Sequence, residues 1–184
     1  NLFGNGQSGC LADWEVTSGT PSVYGSFAPA FSGTDYALFG IHNSSTVEGA
    51  ALRYNFERGK TYTVSVALYS YNGSAQNIGF YLLDAPINYT YNYGVGASAI
   101  PAVPATALLA DSLLQFNSQQ WRVVTFTVTN LNQGYNRLWI RQYGANNYLF
   151  IDSLCITEQT PSSLLDNPTS ILYSLYPNPA GSEL

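Results

Sequence analysis

One histidine, His42, stands in the 184 residues, so a Ser-His-Asp relay would have to be built on it. The Asn43-Ser44-Ser45 that follows has no nucleophile-elbow spacing. Glycoside hydrolysis needs two carboxylates facing each other across a cleft. Of the eleven acids, Asp35, Glu48, Glu57, Asp84, Asp111 and Asp152 could in principle pair, and no spacing favours any two of them. The chain therefore reads as non-enzymatic. Its aromatics and amides are the better chemistry. A sugar ring offers an apolar C–H face to an aromatic side chain while Asn, Gln and Arg take its hydroxyls. One such cluster is Tyr89, Tyr91 and Tyr93, with Tyr69 and Tyr71. Another is Trp139, Arg141 and Tyr143, with Asn146 and Asn147. These are candidate contacts for a glycan or a second subunit. The alternative is that Tyr62, Trp121 and Trp139 are partly core, and that the loop tyrosines cover the domain.

Cys10 and Cys155 are the two cysteines, with no Cys-x-x-Cys spacing for zinc. A disulfide between them would close a loop of about 145 residues and stabilise by roughly 4 to 5 kcal/mol in the chain-entropy model; two buried free thiols are the alternative. The chain begins at Asn1 without a methionine or leader, as a mature exported protein would. Only 9% of residues are charged and the net charge is -5. That excludes a nucleic-acid partner, which needs clustered Lys and Arg. No apolar run approaches the roughly 20 residues of a membrane-spanning helix, so membrane insertion is not expected.

The elements that must carry these residues are strands. Tyr, Phe, Val and Thr abound, and they suit a half-buried pleated surface. Leu52, Tyr54 and Phe56 alternate with Arg53, Asn55 and Glu57, and Arg58-Gly59-Lys60 then makes a hairpin turn. Tyr62, Val64, Val66 and Leu68 mark the core face of the next strand. Further strands are expected over 77–84, 111–116, 121–129, 136–143 and 148–157, with a long loop over 84–110. Leu138 and Ile140 alternate there with Trp139 and Arg141, while Leu149, Ile151 and Leu154 are available to the core. No stretch has sustained helical periodicity. The expected fold is an all-β, antiparallel two-sheet β-sandwich of jelly-roll type with a C-terminal extended tail. Its domain spans 1–158, a polar linker 159–170, and a tail 171–184 in which Ile171, Tyr173 and Leu175 share one parity.

The segments GAALRYNFERGKTYTVS, within 48–65, and NYLFIDSLCITE, 147–158, resemble the galactose-binding-like jelly rolls of carbohydrate-binding module families four, nine and twenty-two. The opening NLFGNGQSG with Trp14 is also similar to that family's first strand, with Gln7, Ser8 and Gly9 where it often has an acid. The resemblance implies a structural calcium ion with Asp152 as a ligand; the alternative is a carboxylate satisfied by backbone donors. The tail LYPNPAGSEL, 175–184, resembles the opening of the C-terminal sorting domain of type IX secretion, which implies export by that machinery to the cell surface of a Bacteroidetes bacterium. Asp111-Ser112-Leu113 is similar to an O-glycosylation acceptor pattern of that phylum, which makes Ser112 a candidate acceptor.

Two functions follow from these features. The first is an extracellular structural or adhesive protein that self-associates, or joins other surface proteins, into an assembly such as a filament, its tail strand adding to an edge of another subunit. The alternative is a carbohydrate-binding module that recognises a polysaccharide through exposed Tyr and Trp.

Overall fold

Period-two alternation sorts side chains to opposite faces of a strand, so a chain patterned this way buries one set between two sheets. A computed structural model describes residues 13–19, 21–24, 28–34, 36–43, 46–88, 101–129, 131–144 and 148–159. Its strands are β1 (Trp14–Ser18), β2 (Ser22–Tyr24), β3 (Tyr36–Asn43), β4 (Thr46–Val47), β5 (Gly49–Phe56), β6 (Thr61–Ser70), β7 (Gln76–Leu83), β8 (Leu108–Phe116), β9 (Arg122–Val128), β10 (Tyr135–Gly144) and β11 (Tyr148–Gln159). There is no helix among the described residues.

One sheet runs β1-β5-β10-β7-β8; the other runs β2-β3-β11-β6-β9, with β4 pairing β3 off that path. Every pairing is antiparallel. The expected all-β sandwich is what the chain forms. The core lies between the sheets. Leu52 and Phe56 of β5, Ile78, Phe80 and Leu82 of β7, and Leu138 and Ile140 of β10 meet Val64, Val66 and Leu68 of β6 and Leu149 and Ile151 of β11.

Two local devices keep this parity. The β5–β6 hairpin turns at Gly59, whose φ of 76° is the left-handed region that glycine tolerates. The Glu57 amide there donates to the Tyr62 hydroxyl at 2.9 Å. Burial raises the Tyr62 phenol above its ordinary pKa. In β11 a bulge between Asp152 and Cys155, with Ser153 at φ 48°, resets the alternation. Leu149 and Ile151 before it and Leu154 and Ile156 after it therefore all reach the core, while Phe150 and Asp152 face outward.

One expectation is corrected. The loop expected over 84–110 ends earlier, because β8 begins at Leu108 and pairs it with Leu82. Leu108 and Ala110 pack against the core, which draws three residues of that stretch into the sheet. The linker and the tail strand with Ile171, Tyr173 and Leu175 lie outside the described residues, apart from Gln159, the last residue of β11.

Candidate functional site

The outer face of the β1-β5-β10-β7-β8 sheet can be built row by row from its register. Opposite Trp139 of β10 stand Ala51 of β5 and Tyr81 of β7, and Ala51 in turn faces Glu15 of β1. One row on, Arg141 lies between Gly49 and Gly79. Next on the β10–β7 side come Tyr143 and Asn77. In the other direction Arg137 sits between Arg53 and Leu83.

Trp139 corrects the sequence reading most clearly. Expected as a stacking surface, it is 0% exposed. It packs with Ala51 and Leu83, under Tyr81, Ile87 and Ala107. Its indole N–H donates to Thr17 Oγ1 at 2.8 Å, which meets the need of a buried donor inside the protein. A ligand cannot stack on it. Trp139 is instead the floor on which the exposed layer rests.

Above that floor, Tyr81 leans on the indole with ring centroids 5.4 Å apart. Its ring folds back over Gly79, where an added Cβ would come within 2.5 Å of it. Gly49 is likewise constrained, since a Cβ there would lie 2.7 Å from the Thr17 hydroxyl that holds Trp139. Both glycines are thus required for close packing of the layer. The Arg141 guanidinium carbon stands 5.7 Å from the Trp139 ring centroid and 5.3 Å from that of Tyr143. These contacts hold a cation against two aromatic faces.

The two neighbouring arginines differ from Arg141 in pairing. Arg137 makes a two-pronged bond to Glu15, at 2.6 and 3.0 Å, and Arg53 lies 3.4 Å from the same carboxylate. Arg141 joins no ion pair among the described residues. Its hydrogen bond is a long one, Nη2 to the Pro101 carbonyl at 3.4 Å. Its Nε–H is buried without a partner. The Ser18 hydroxyl, on the same row across Gly49, is also buried without one. Sequence reasoning grouped Arg141 and Tyr143 in one aromatic-and-amide cluster, and the register places both on this face. That reasoning missed Tyr81, Glu15, Thr17 and Gly79, which only cross-strand register brings to them.

The remaining expectations fall elsewhere. Tyr89, Tyr91 and Tyr93 lie outside the described residues. Tyr69 and Tyr71 belong to the opposite sheet, where the 28–34 segment lies over an aromatic cluster. Tyr69 stacks on Phe150 at 5.4 Å, Tyr71 meets Tyr148, and the Trp121 indole donates to the Pro29 carbonyl at 2.8 Å. Asp152 ties down the same segment. Its Oδ2 accepts from the Ser32 amide at 3.0 Å and its Oδ1 from the Ser153 amide at 2.6 Å. The described residues contain no group of three His, Cys, Asp or Glu fit for a metal ion. Cys155 Sγ lies 3.8 Å from Thr157 Oγ1 and is bonded to no other cysteine among the described residues, and Cys10 lies outside them. Ser112 is exposed on β8, its amide donating to Asp111 Oδ1 at 2.8 Å.

No family's sequence profile matches the chain, and no curated protein does. Solved structures do. The N-terminal modules of an endo-1,4-beta-D-xylanase from Clostridium thermocellum, complexed with xylohexaose, are similar at a TM-score of 0.53 and 13% identity. That likeness covers 80% of this chain and 26% of that one. The C-terminal family 22 carbohydrate-binding module of a Clostridium thermocellum protein is similar at 0.50 and 17%, over 81% of this chain and 87% of that one. The enzymatically active domain of a bacteriophage tailspike protein is similar at 0.51 and 8%, over 80% of this chain but 20% of that one. At such identities the likeness establishes the fold, and the fold is the jelly-roll β-sandwich of carbohydrate-binding modules.

Proposed function

We propose that the chain is a non-catalytic carbohydrate-binding module whose ligand lies along the outer face of the β1-β5-β10-β7-β8 sheet. Tyr81 and Tyr143 offer ring faces, Arg141 offers donors, and Trp139 supports Tyr81 and Arg141 from beneath. One observation carries this reading. Arg141, a cation between two aromatic rings, makes a single long hydrogen bond among the described residues, on a face that presents both stacking and hydrogen-bonding chemistry. The likeness to a family 22 carbohydrate-binding module supports it by analogy of fold. Such a module works outside the cell or at its surface. Electrophoresis through gels containing xylan, galactan or other polysaccharides tests the proposal. At least one polymer should retard the protein, and Tyr143→Ala should lose that retardation while keeping its circular dichroism. Equal mobility in every gel contradicts it.

A second reading, self-association into a surface assembly, has one observation in its favour. β9 ends its sheet, pairs with β6 over seven residues without a bulge, and leaves Val123 56% exposed. An edge of that kind accepts a further strand, and Ile171, Tyr173 and Leu175 of another copy, exported by a type IX route, would supply it. Sedimentation of the full chain beside a chain ending at Gln159 tests this, and two monomers would contradict it. Within either reading a calcium ion at Asp152, a Cys10–Cys155 bridge and a glycan on Ser112 are separate proposals. Melting with a chelator tests the first, and intact mass before and after reduction tests the other two.

A further inference from the structure

The site in the proposed function leaves its ligand class open, and the state of Arg141 narrows it. We infer that this face recognises an acidic saccharide, with a uronate carboxylate seated on the Arg141 guanidinium. The inference rests on the carbohydrate-binding reading and goes beyond it.

Three observations converge. The first is charge. Among the described residues five of the six cations are either paired or exposed. Arg53 and Arg137 share Glu15, and Lys60 pairs with Glu158 at 2.6 Å. Arg58 and Arg122 are exposed. Arg141 is neither paired nor fully exposed. A partly desolvated charge without a counter-ion is costly to hold, so its survival in the fold marks a place where an opposite charge arrives.

The second is geometry. The rings of Trp139 and Tyr143 fix the guanidinium. A planar guanidinium presents paired N–H groups that match the two oxygens of a carboxylate, whereas a sugar hydroxyl uses only one of them. Neutral sugars are served as well by Asn or Gln, without the cost of burying a charge. The third is the surroundings. The acid facing outward on these rows is Glu15, and two arginines neutralise it. Glu48, at the start of β5, is buried beside Gly19. Of the other described acids, Asp13 precedes β1 and Asp111 lies on β8, at the edge of the same sheet. Glu57 and Glu158 are near Lys60, Asp84 takes the Thr106 hydroxyl, and Asp152 is on the opposite sheet. Although the net charge is -5, Arg53, Arg137 and Arg141 outnumber Glu15 on these rows and leave them locally cationic.

Calorimetric titration with oligogalacturonate and oligomannuronate, beside neutral xylo- and galacto-oligosaccharides of equal length, tests the inference. An acidic ligand should bind about tenfold tighter than any neutral one, as a charge-assisted bond predicts. That advantage should shrink as sodium chloride is raised and vanish in Arg141→Gln. Arg141→Lys should keep part of it. If Arg141→Gln fails to fold, the acidic-to-neutral ratio and the salt dependence of the natural chain decide. Neutral ligands bound as tightly as acidic ones overturn the inference and leave the carbohydrate-binding reading standing. Binding of no saccharide overturns both.

Discussion

The two outer faces of the sandwich use similar residues to opposite ends. On the β2-β3-β11-β6-β9 sheet, Tyr69, Trp121 and Phe150 form a cluster that the chain's own 28–34 segment overlies, pinned by Asp152 and by the Trp121 indole. On the β1-β5-β10-β7-β8 sheet, the indole of Trp139 is also tied down internally, but the layer above it leaves Tyr81, Arg141 and Tyr143 partly open. Each face has one structural tryptophan. The difference lies in what the adjoining polar group does. Asp152 has backbone donors on both oxygens, whereas Arg141 has one long bond and an orphan Nε–H. The carboxylate satisfied by its own chain fits a structural role, and the cation with one long bond beside open rings fits the proposed contact surface.

Substitutions can break this contrast. The largest effect should come from Trp139→Ala, which empties a fully buried site and should cost about 3 to 5 kcal/mol, read as a fall in denaturation midpoint. Tyr143→Ala, two residues along the same strand, should cost under about 1 kcal/mol and lose carbohydrate binding instead. Similar costs for the two would erase the distinction between floor and contact surface. Asp152→Ala should cost about 1 to 3 kcal/mol by stranding the Ser32 and Ser153 amides, and should leave binding on the other face unchanged.

Glu15→Gln sharpens the comparison from the other side. It removes the shared counter-ion of Arg53 and Arg137. A stability loss of about 1 kcal/mol is expected, together with tighter binding of an acidic oligosaccharide as the face becomes more cationic. Weaker binding of that ligand would count against the charge argument. The smallest effect concerns pH. Burial raises the Tyr62 phenol in the folded state, so the unfolded chain gives up that proton first as pH rises. Stability from this group is whole below about pH 10 and is lost as pH climbs through the higher folded value. The hydrogen bond from Lys60 to Glu158 raises the lysine and acts in the same direction. Melting temperature measured from pH 9 to 11 should fall, and fall less in Tyr62→Phe.

How much of this was legible in the sequence follows from the same contrast. The core face of β6, with Tyr62, Val64, Val66 and Leu68, is readable because one face of each inner strand is buried and polar or small residues hold the other. Trp139 defeats that logic. Alternation assigns it to the outer face, where it does lie, but alternation carries no information about what covers an outer face. The partners of the site are equally hidden. Glu15 and Arg137, like Thr17 and Trp139, are 122 residues apart and meet only through the β1-β5-β10 order. The Ser153 bulge has no glycine to announce it, so the shift of core parity from Ile151 to Leu154 shows only as an irregular apolar spacing.

The most direct test follows the indole N–H resonances of Trp139 and Trp121, one beneath each face, by nuclear magnetic resonance as a retained oligosaccharide is added. The account predicts that Trp139 shifts in a saturable way and Trp121 stays still. A shift of Trp121 with Trp139 unmoved would place the ligand on the wrong face and contradict the assignment.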